Sequence, residues 1–391
     1  MKSLKDALLE HPPQLLRAIA DMNQLSLPET GARDQWAATL ADELARPEVI
    51  QRTWQSLTPP ERTALENLIL RGGRIKAFQI LRDQGEIRAF GPVALARDKP
   101  WLKPANVTEG LWYRGLIQRA FDVVGEFRGE IFFIPAEILL HLPRPSGETA
   151  AFVVRGAGVP GTVSDQVDAL IWDMFGLLVF VSRAEPRYDE HSLLTAEDRR
   201  DWTARLLVPA PASGRETSST SRSSLILRLA RTARLIRSVS QVGLRLGTES
   251  RAWLRGTRQE CRLKLFEAWK QERVWNELND VPSLKPEETG WRNDPRLARD
   301  VVLRFLAQCP PLQWLSLASF VAAVKKADPD FQRPDGDYDR WHIRAAATGK
   351  LLTGFQHWNE VEGALIAFMF EGPLCWLGIV SLGAEIGRAH V

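Results

Sequence analysis

Arginine crowds one stretch of this sequence. Between Arg215 and Lys264, eleven arginines and one lysine stand against Glu216, Glu249 and Glu260. The stretch carries a net charge of +9 in a chain that totals +3, so the remaining residues are net acidic. Guanidinium groups at this density suit phosphate, because each is always charged and presents a rigid fork of donors. On a helical wheel Leu225, Ile226, Leu229, Ala233, Ile236 and Val239 fall on one face, and Arg228, Arg231, Arg234 and Arg237 spread over the other. The spacing predicts one helix that buries its apolar side and offers four arginines to DNA phosphates. Charge alone leaves two other uses open, pairing with acidic protein surface and contact with anionic membrane.

Other patterns invite chemistry less strongly. GAGVPG at 156–161 fits GxGxxG, follows AAFVV, and precedes a helix that leads to the strand-like run LLVFVS, which makes a βαβ dinucleotide loop a competing reading. Against it, Pro160 stiffens the loop and no further strands follow. Thr348-Gly349-Lys350 is the nearest approach to GxxxxGK[ST], but Leu351 replaces the hydroxyl and Arg344 the first glycine, so no ATP motor is expected. Asp330, Asp335, Asp337 and Asp339 crowd together, yet the calcium-loop register places Arg333 at the obligatory glycine or Trp341 at the bidentate glutamate. A capped turn with solvated carboxylates fits them better. His11, His141, His191, His342, His357 and His390 are scattered, with no local triad. No catalytic residue, cofactor or metal is therefore assigned, and a non-enzymatic protein is expected. Of the 14 tryptophans, Trp253, Trp269, Trp275, Trp291, Trp314, Trp341, Trp358 and Trp376 sit mostly beside apolar residues at helical spacing, as core residues do, although stacking on unpaired bases is a second use.

The elements that must position these residues are bounded by length and punctuation. With 391 residues, 45% of them hydrophobic, the chain exceeds one core and divides into about two to four units. Cys261, Cys309 and Cys375 form no CxxC pair, and MKSLKDALLEHPPQ lacks the apolar core of a signal peptide, which predicts a cytoplasmic protein. Gly363 to Leu382 is apolar but interrupted by Glu371-Gly372-Pro373, so a buried helix followed by a strand is expected, with no membrane partner.

Along the chain, 1–50 reads as a helical cap, with Leu15, Leu16, Ile19 and Met22 at helical spacing. Within 51–147, helices ERTALENLILR, IKAFQILRDQG and TEGLWYRGL precede the strands IQRAFDVV and EIFFIP, the order of a winged helix. In that fold the helix before the hairpin reads the DNA groove, which nominates Arg114, with Arg119 on the wing. Residues 148–224 read as an irregular segment and linker ending in VPAPASGRETSSTSRSS, and 225–280 as the basic helical segment. A second winged-helix-like module is expected at 281–356, although no second wing strand is evident. Residues 357–391 look like a truncated third module with uncovered apolar surface, ending in EIGRAHV, which looks like a translated adapter.

Several stretches carry a family resemblance: RTALENLILRGGRI, GEIRAFGPVALARDKPW, EGLWYRGLIQRAFD with FFIPAEIL, WNEL, PDFQRPDGDYDRW and WNEVEGALIAFMFEGPLCWLG. They resemble bacterial helicase-associated proteins related to the N-terminal region of XPB-type helicases. The resemblance implies a row of winged-helix modules serving DNA transactions beside a helicase, without a motor of its own. The expectation is a mainly α protein with small β-hairpins in tandem winged-helix modules that binds DNA mainly through phosphates. An interaction scaffold and a nucleotide-binding enzyme using 156–161 are the alternatives.

Overall fold

Several helices in this protein begin at a side chain that caps them. The Thr58 hydroxyl accepts from the Glu61 backbone N–H at 3.5 Å, and the Glu61 carboxylate accepts in return from the Thr58 N–H at 2.8 Å. Asn106 accepts from the Glu109 N–H at 3.0 Å, and Thr257 forms the same reciprocal box with Glu260. The computed structural model describes residues 2–28, 31–124, 127–143, 152–164, 166, 168–187, 194–206, 217–239, 243–287 and 289–384. It is mainly helical, with small antiparallel sheets of two or three strands. Two units emerge, Met1–Ala151 with Pro334–Gly336, and Phe152–Arg333 with Asp337–Val391.

The first unit runs α1 (Leu4–Leu8), α2 (Pro13–Met22), α3 (Arg33–Leu44), α4 (Pro47–Ser56), α5 (Pro59–Leu70), β1 (Arg74–Lys76), α6 (Ala77–Gln84), α7 (Pro92–Asp98), α8 (Val107–Tyr113), β2 (Gln118–Val124), β3 (Phe127–Phe133) and α9 (Ala136–Leu139). Two glycines at positive φ, Gly72 and Gly73, end α5 and turn the chain into β1. Ile75 and Lys76, expected at the start of a helix, instead pair with Phe132 and Ile131 of β3. The sheet order is β1-β3-β2, with Gln118 opposite Phe133 and Val124 opposite Phe127. Leu16, Ile19 and Leu40 of the N-terminal helices share one core with Leu65, Leu111 and Phe132, so 1–50 is part of this unit's core rather than a separate cap.

The second unit runs β4 (Thr162–Ser164), α10 (Ala169–Ala184), α11 (Ala196–Thr203), α12 (Thr217–Thr232), β5 (Ile236–Val239), β6 (Gly243–Leu246), α13 (Ser250–Arg255), α14 (Arg258–Gln271), α15 (Glu277–Asp280), β7 (Leu284–Pro286), α16 (Pro295–Leu306), α17 (Leu317–Ala327), β8 (Ile343–Ala345), α18 (Ala364–Met369) and β9 (Leu382–Ala384). Three expectations are corrected here. LLVFVS is no strand but the second half of α10, where Leu177, Leu178 and Val181 enter the core; a short apolar run suits a buried helix as well as a strand. The Ser/Thr-rich end of the expected linker, from Thr217, is the first half of α12, in which Ser221, Arg222 and Ser223 are buried. Tertiary burial there overrides the preference of serine for turns. Finally, residues 357–383 do not expose a broad apolar face. A helical run from Asn359 to Leu374, kinked at Gly372 before Pro373, buries Trp358, Ile366, Met369 and Leu374 in the core of this unit. Of the terminal AEIGRAHV, residues 385–391 lie outside the described residues.

Several buried charges in the second unit occur in pairs. Arg299, fully buried, binds both oxygens of Glu277 at 2.7 and 2.9 Å and donates to the Trp275 carbonyl at 2.8 Å. Arg333 bonds Glu362 at 2.7 Å. Such pairs fix how helices meet more than they add net stability.

Candidate nucleic-acid interface

The stretch 225–246 folds as a helix and a two-stranded hairpin rather than as one helix. Helix α12 stops at Thr232, the Leu235 N–H bonds back to the Ala230 carbonyl at 2.7 Å, and Arg234 takes a left-handed conformation at φ 59°. From Ile236 the chain is extended and pairs with 243–246, Arg237 lying opposite Arg245 and Ile236 opposite Leu246. The single wheel over 225–239 is thereby corrected. Two glycines decide it: the Gly243 backbone has φ +109° and leaves no room for a side chain against the Pro186 carbonyl, and Gly247 packs as tightly on the Arg234 carbonyl. Arg228 is left half-buried on α12, Arg231 is exposed and donates to the Ser238 hydroxyl at 3.0 Å, and Arg234 and Arg237 leave the helix altogether.

Pairing then divides the arginines into two groups. Arg222 is buried against Asp173 at 2.8 Å, and burial lowers its pKa against the pull of that carboxylate. Arg245 bonds Glu185 at 2.9 Å, Arg258 bonds Asp168 at 2.8 Å and Lys264 bonds Glu249 at 3.2 Å. Among the described residues Arg234, Arg237, Arg251 and Arg255 are exposed and form no ion pair. The elements that carry them converge, because the Glu249 N–H, just before α13, bonds the Arg234 carbonyl at 3.2 Å and the Gly247 N–H bonds the Leu235 carbonyl at 2.7 Å. Arg251 and Arg255, four residues apart, share one face of α13. The base of the β5–β6 hairpin thus concentrates positive charge without local neutralisation, an arrangement suited to polyanions.

Two features of this patch oppose stability. A left-handed arginine is strained relative to glycine, and two arginines directly opposite in an antiparallel pair repel. Strain retained at exposed basic residues is a reason to look there for function.

The first unit does not offer the arginines expected of it. Arg114 is buried, donating to Glu61 at 2.8 Å and to the Gly110 carbonyl at 2.9 Å. Its helix, α8, buries Thr108, Glu109, Leu111 and Tyr113, so it cannot enter a groove as it stands; burial, with Glu109 nearby, pushes the Tyr113 hydroxyl up to about 12. The expectation for Arg114 is corrected on that ground. Arg119 lies on the outer surface of β2, 3.4 Å from Glu130 and over the Phe132 ring. Its charge is already partly met.

The remaining motifs have structural roles. Gly156 bridges to Leu315, Ala157 donates to the Trp314 carbonyl at 2.8 Å, and β4 beyond them pairs antiparallel with β9. A dinucleotide loop needs a parallel strand and an immediate helix, whereas α10 starts only at Ala169, so the context required of GAGVPG is lacking. Thr348-Gly349-Lys350 forms a tight turn, Gly349 at φ 70°, that returns the chain to bridge Arg344 with Leu351. The Asp337 carboxylate caps the N–H groups of Asp339 and Arg340, whereas Asp330 is buried and accepts from the Tyr338 hydroxyl at 2.8 Å, correcting its expected solvation. Among the described residues no group of three or more metal-ligating side chains occurs, and no helix is long and apolar enough to cross a membrane. Trp253, Trp269, Trp275, Trp341, Trp358 and Trp376 are buried, as the core reading expects.

Sequence reasoning missed Arg251 and Arg255, which the charge count included without singling them out, and missed Trp172, which is half exposed on α10. Reading LLVFVS as helix would have placed Trp172, Phe175 and Val179 on one outward stripe. No protein family, curated protein or solved structure matches this chain.

Proposed function

We propose that this chain is a non-enzymatic DNA-binding protein that holds its ligand mainly through phosphate contacts and works beside a helicase. The observation that carries this reading is the group of exposed arginines, Arg234, Arg237, Arg251 and Arg255, which form no ion pair among the described residues, at the base of the β5–β6 hairpin. Arg231 stands at its margin. Support also comes from element order. In the first unit α5, β1, α6, α7, α8 and the β2–β3 hairpin, with sheet order β1-β3-β2, follow the helix, strand, helix and hairpin order of a winged helix with one helix more, and α10, α11 and α12 before β5–β6 repeat three helices and a hairpin in the second. The helicase context rests on the resemblance of the stretches quoted above. Unpaired cysteines, two of them buried, accord with a cytoplasmic protein.

A salt series tests the proposal. Each phosphate neutralised adds about 0.9 to the slope of log K against log salt, so four contacts contribute roughly 3.6 and affinity for a duplex falls more than about a hundredfold between about 50 and 200 mM salt. Replacing Arg234, Arg237, Arg251 and Arg255 by Gln removes the charge and keeps good helix formers on α13. Fluorescence anisotropy with a labelled duplex is expected to show weaker binding and a slope reduced by about 3 to 4. An unchanged slope in the variant removes this patch as the phosphate contact, and a parent protein that binds no DNA at low salt removes the proposal.

An interaction scaffold is the second reading. It is favoured by Phe121 and Val123, large apolar side chains exposed on β2, an edge strand of the first unit's sheet.

A further inference from the structure

Helix α10 turns two aromatic side chains outward. Leu170, Met174, Leu177, Leu178 and Val181 are buried, whereas Trp172 is 49% and Phe175 44% exposed. At 100° per residue, Asp168, Trp172, Phe175, Val179 and Arg183 fall in a single stripe about 80° wide. Trp172 and Phe175 meet edge to face, centroids 6.3 Å apart and rings at 86°, which steadies the indole without enclosing it.

Cations stand at both ends of this stripe. At its start Arg258 bonds Asp168 at 2.8 Å while its side chain stays 69% exposed, and that bond neutralises the one carboxylate on the stripe. At its far end Arg183 is exposed and forms no ion pair among the described residues. Just beyond, Glu185 is matched by Arg245 of the hairpin, so the stripe leads towards the basic patch. From Trp172 to Arg183 the helix rises about 16 Å, room for a few nucleotides.

We propose that the outer face of α10 is a stacking track for single-stranded DNA: Trp172 and Phe175 stack on unpaired bases while Arg258 and Arg183 hold phosphates at either end. This rests on the DNA-binding reading above and adds the kind of strand recognised. Charge complementarity selects a polyanion. Two copies pairing this face in antiparallel fashion would bring Arg183 of each towards Arg258 of the other, and like charges would meet. Exposed rings select an unpaired strand, because bases in a duplex already stack on each other, and stacking tolerates any sequence.

The test uses the full chain and anisotropy with three labelled probes of about twenty nucleotides, longer than a typical site on one small module: oligothymidylate, a DNA duplex and oligouridylate. The parent is expected to bind oligothymidylate most tightly. Trp172→Ala and Phe175→Ala each lower that affinity about 5- to 150-fold and leave duplex affinity within about twofold, with the salt slope unchanged because no phosphate contact is lost. Trp172→Phe keeps most of the binding, and circular dichroism confirms that each variant is folded. If the parent binds DNA but Trp172→Ala leaves oligothymidylate binding as it was, or weakens duplex binding equally, the track is refuted while the DNA-binding reading stands. A parent that binds no DNA refutes both. Tighter binding of oligouridylate overturns the assignment to DNA, and a Trp172→Ala protein that changes only from dimer to monomer in sedimentation makes the stripe a contact between copies.

Discussion

Held at 2.8 Å by Glu61, the Arg114 guanidinium lies inside the first unit, and its carboxylate partner also caps Thr58 at the start of α5. One pair thereby ties α5 to α8. Removing one partner leaves an uncompensated buried charge, so Arg114→Met is expected to lower stability in urea by about 3 to 5 kcal/mol without altering the salt slope of DNA binding. The double variant Glu61→Leu with Arg114→Met should recover part of that loss, the remainder being the lost cap. Asp280 offers a separate test by pH. Burial, reinforced by Glu277 and opposed by polar contacts from Ser221 and Trp275, pushes its carboxyl up to about 6 from 3.8. The folded state therefore binds this proton more tightly than the unfolded state. The contribution to stability is full below about pH 4 and is lost as pH rises through about 6. At neutral pH the charged carboxylate costs about 3 kcal/mol, so Asp280→Asn should stabilise by that order at pH 7.5 and change little at pH 4, measured by chemical denaturation at both values.

At the scale of elements, the junction of α12 with the β5–β6 hairpin couples stability to binding. Arg234 occupies a left-handed position that glycine adopts without strain. Arg234→Gly is expected to raise the stability of the second unit by up to about 1 kcal/mol and at the same time to weaken DNA binding with a slope reduced by about 0.9. Opposite changes in the two readouts, from thermal denaturation and anisotropy, would mark the residue as retained for its charge. Equal DNA affinity in parent and variant would make it a turn residue only. The neighbouring Gly247 should tolerate no side chain, because a Cβ there would stand 2.1 Å from the Arg234 carbonyl oxygen.

For the whole molecule, charge is distributed by segment: most of the excess lies in α12, the β5–β6 hairpin and α13 of the second unit, and the chain outside the basic stretch is net acidic. Nucleotide binding has no comparable support. The Gly-rich run at 156–161 is extended beside Trp314 and Leu315, and the Gly349 turn closes a small hairpin. Isothermal calorimetry with ATP and with NAD is expected to give no binding heat. Micromolar binding abolished by Gly158→Val would restore the enzyme alternative.

Much of the local structure was determined by sequence alone, because its causes are local. Thr58 with Glu61, Asn106 with Glu109, and the Gly72-Gly73 stop placed α5 and α8, and the β-branched and aromatic residues of IQRAFDVV and EIFFIP placed the β2–β3 hairpin. The excess of arginine was equally plain, since charge counts need no coordinates. What sequence left undecided depends on partners distant in the chain. LLVFVS became helix because α12 and its buried Arg222–Asp173 pair cover it, and Thr217–Ser224 became helix for the same reason. Arg114 was a groove reader by its place before the hairpin and is an ion-pair partner in the fold, a difference decided by Glu61, 53 positions away. Which arginines form no ion pair among the described residues, and that Trp172 faces solvent, are properties of the assembled surface, because pairing and exposure exist only once the chain has packed.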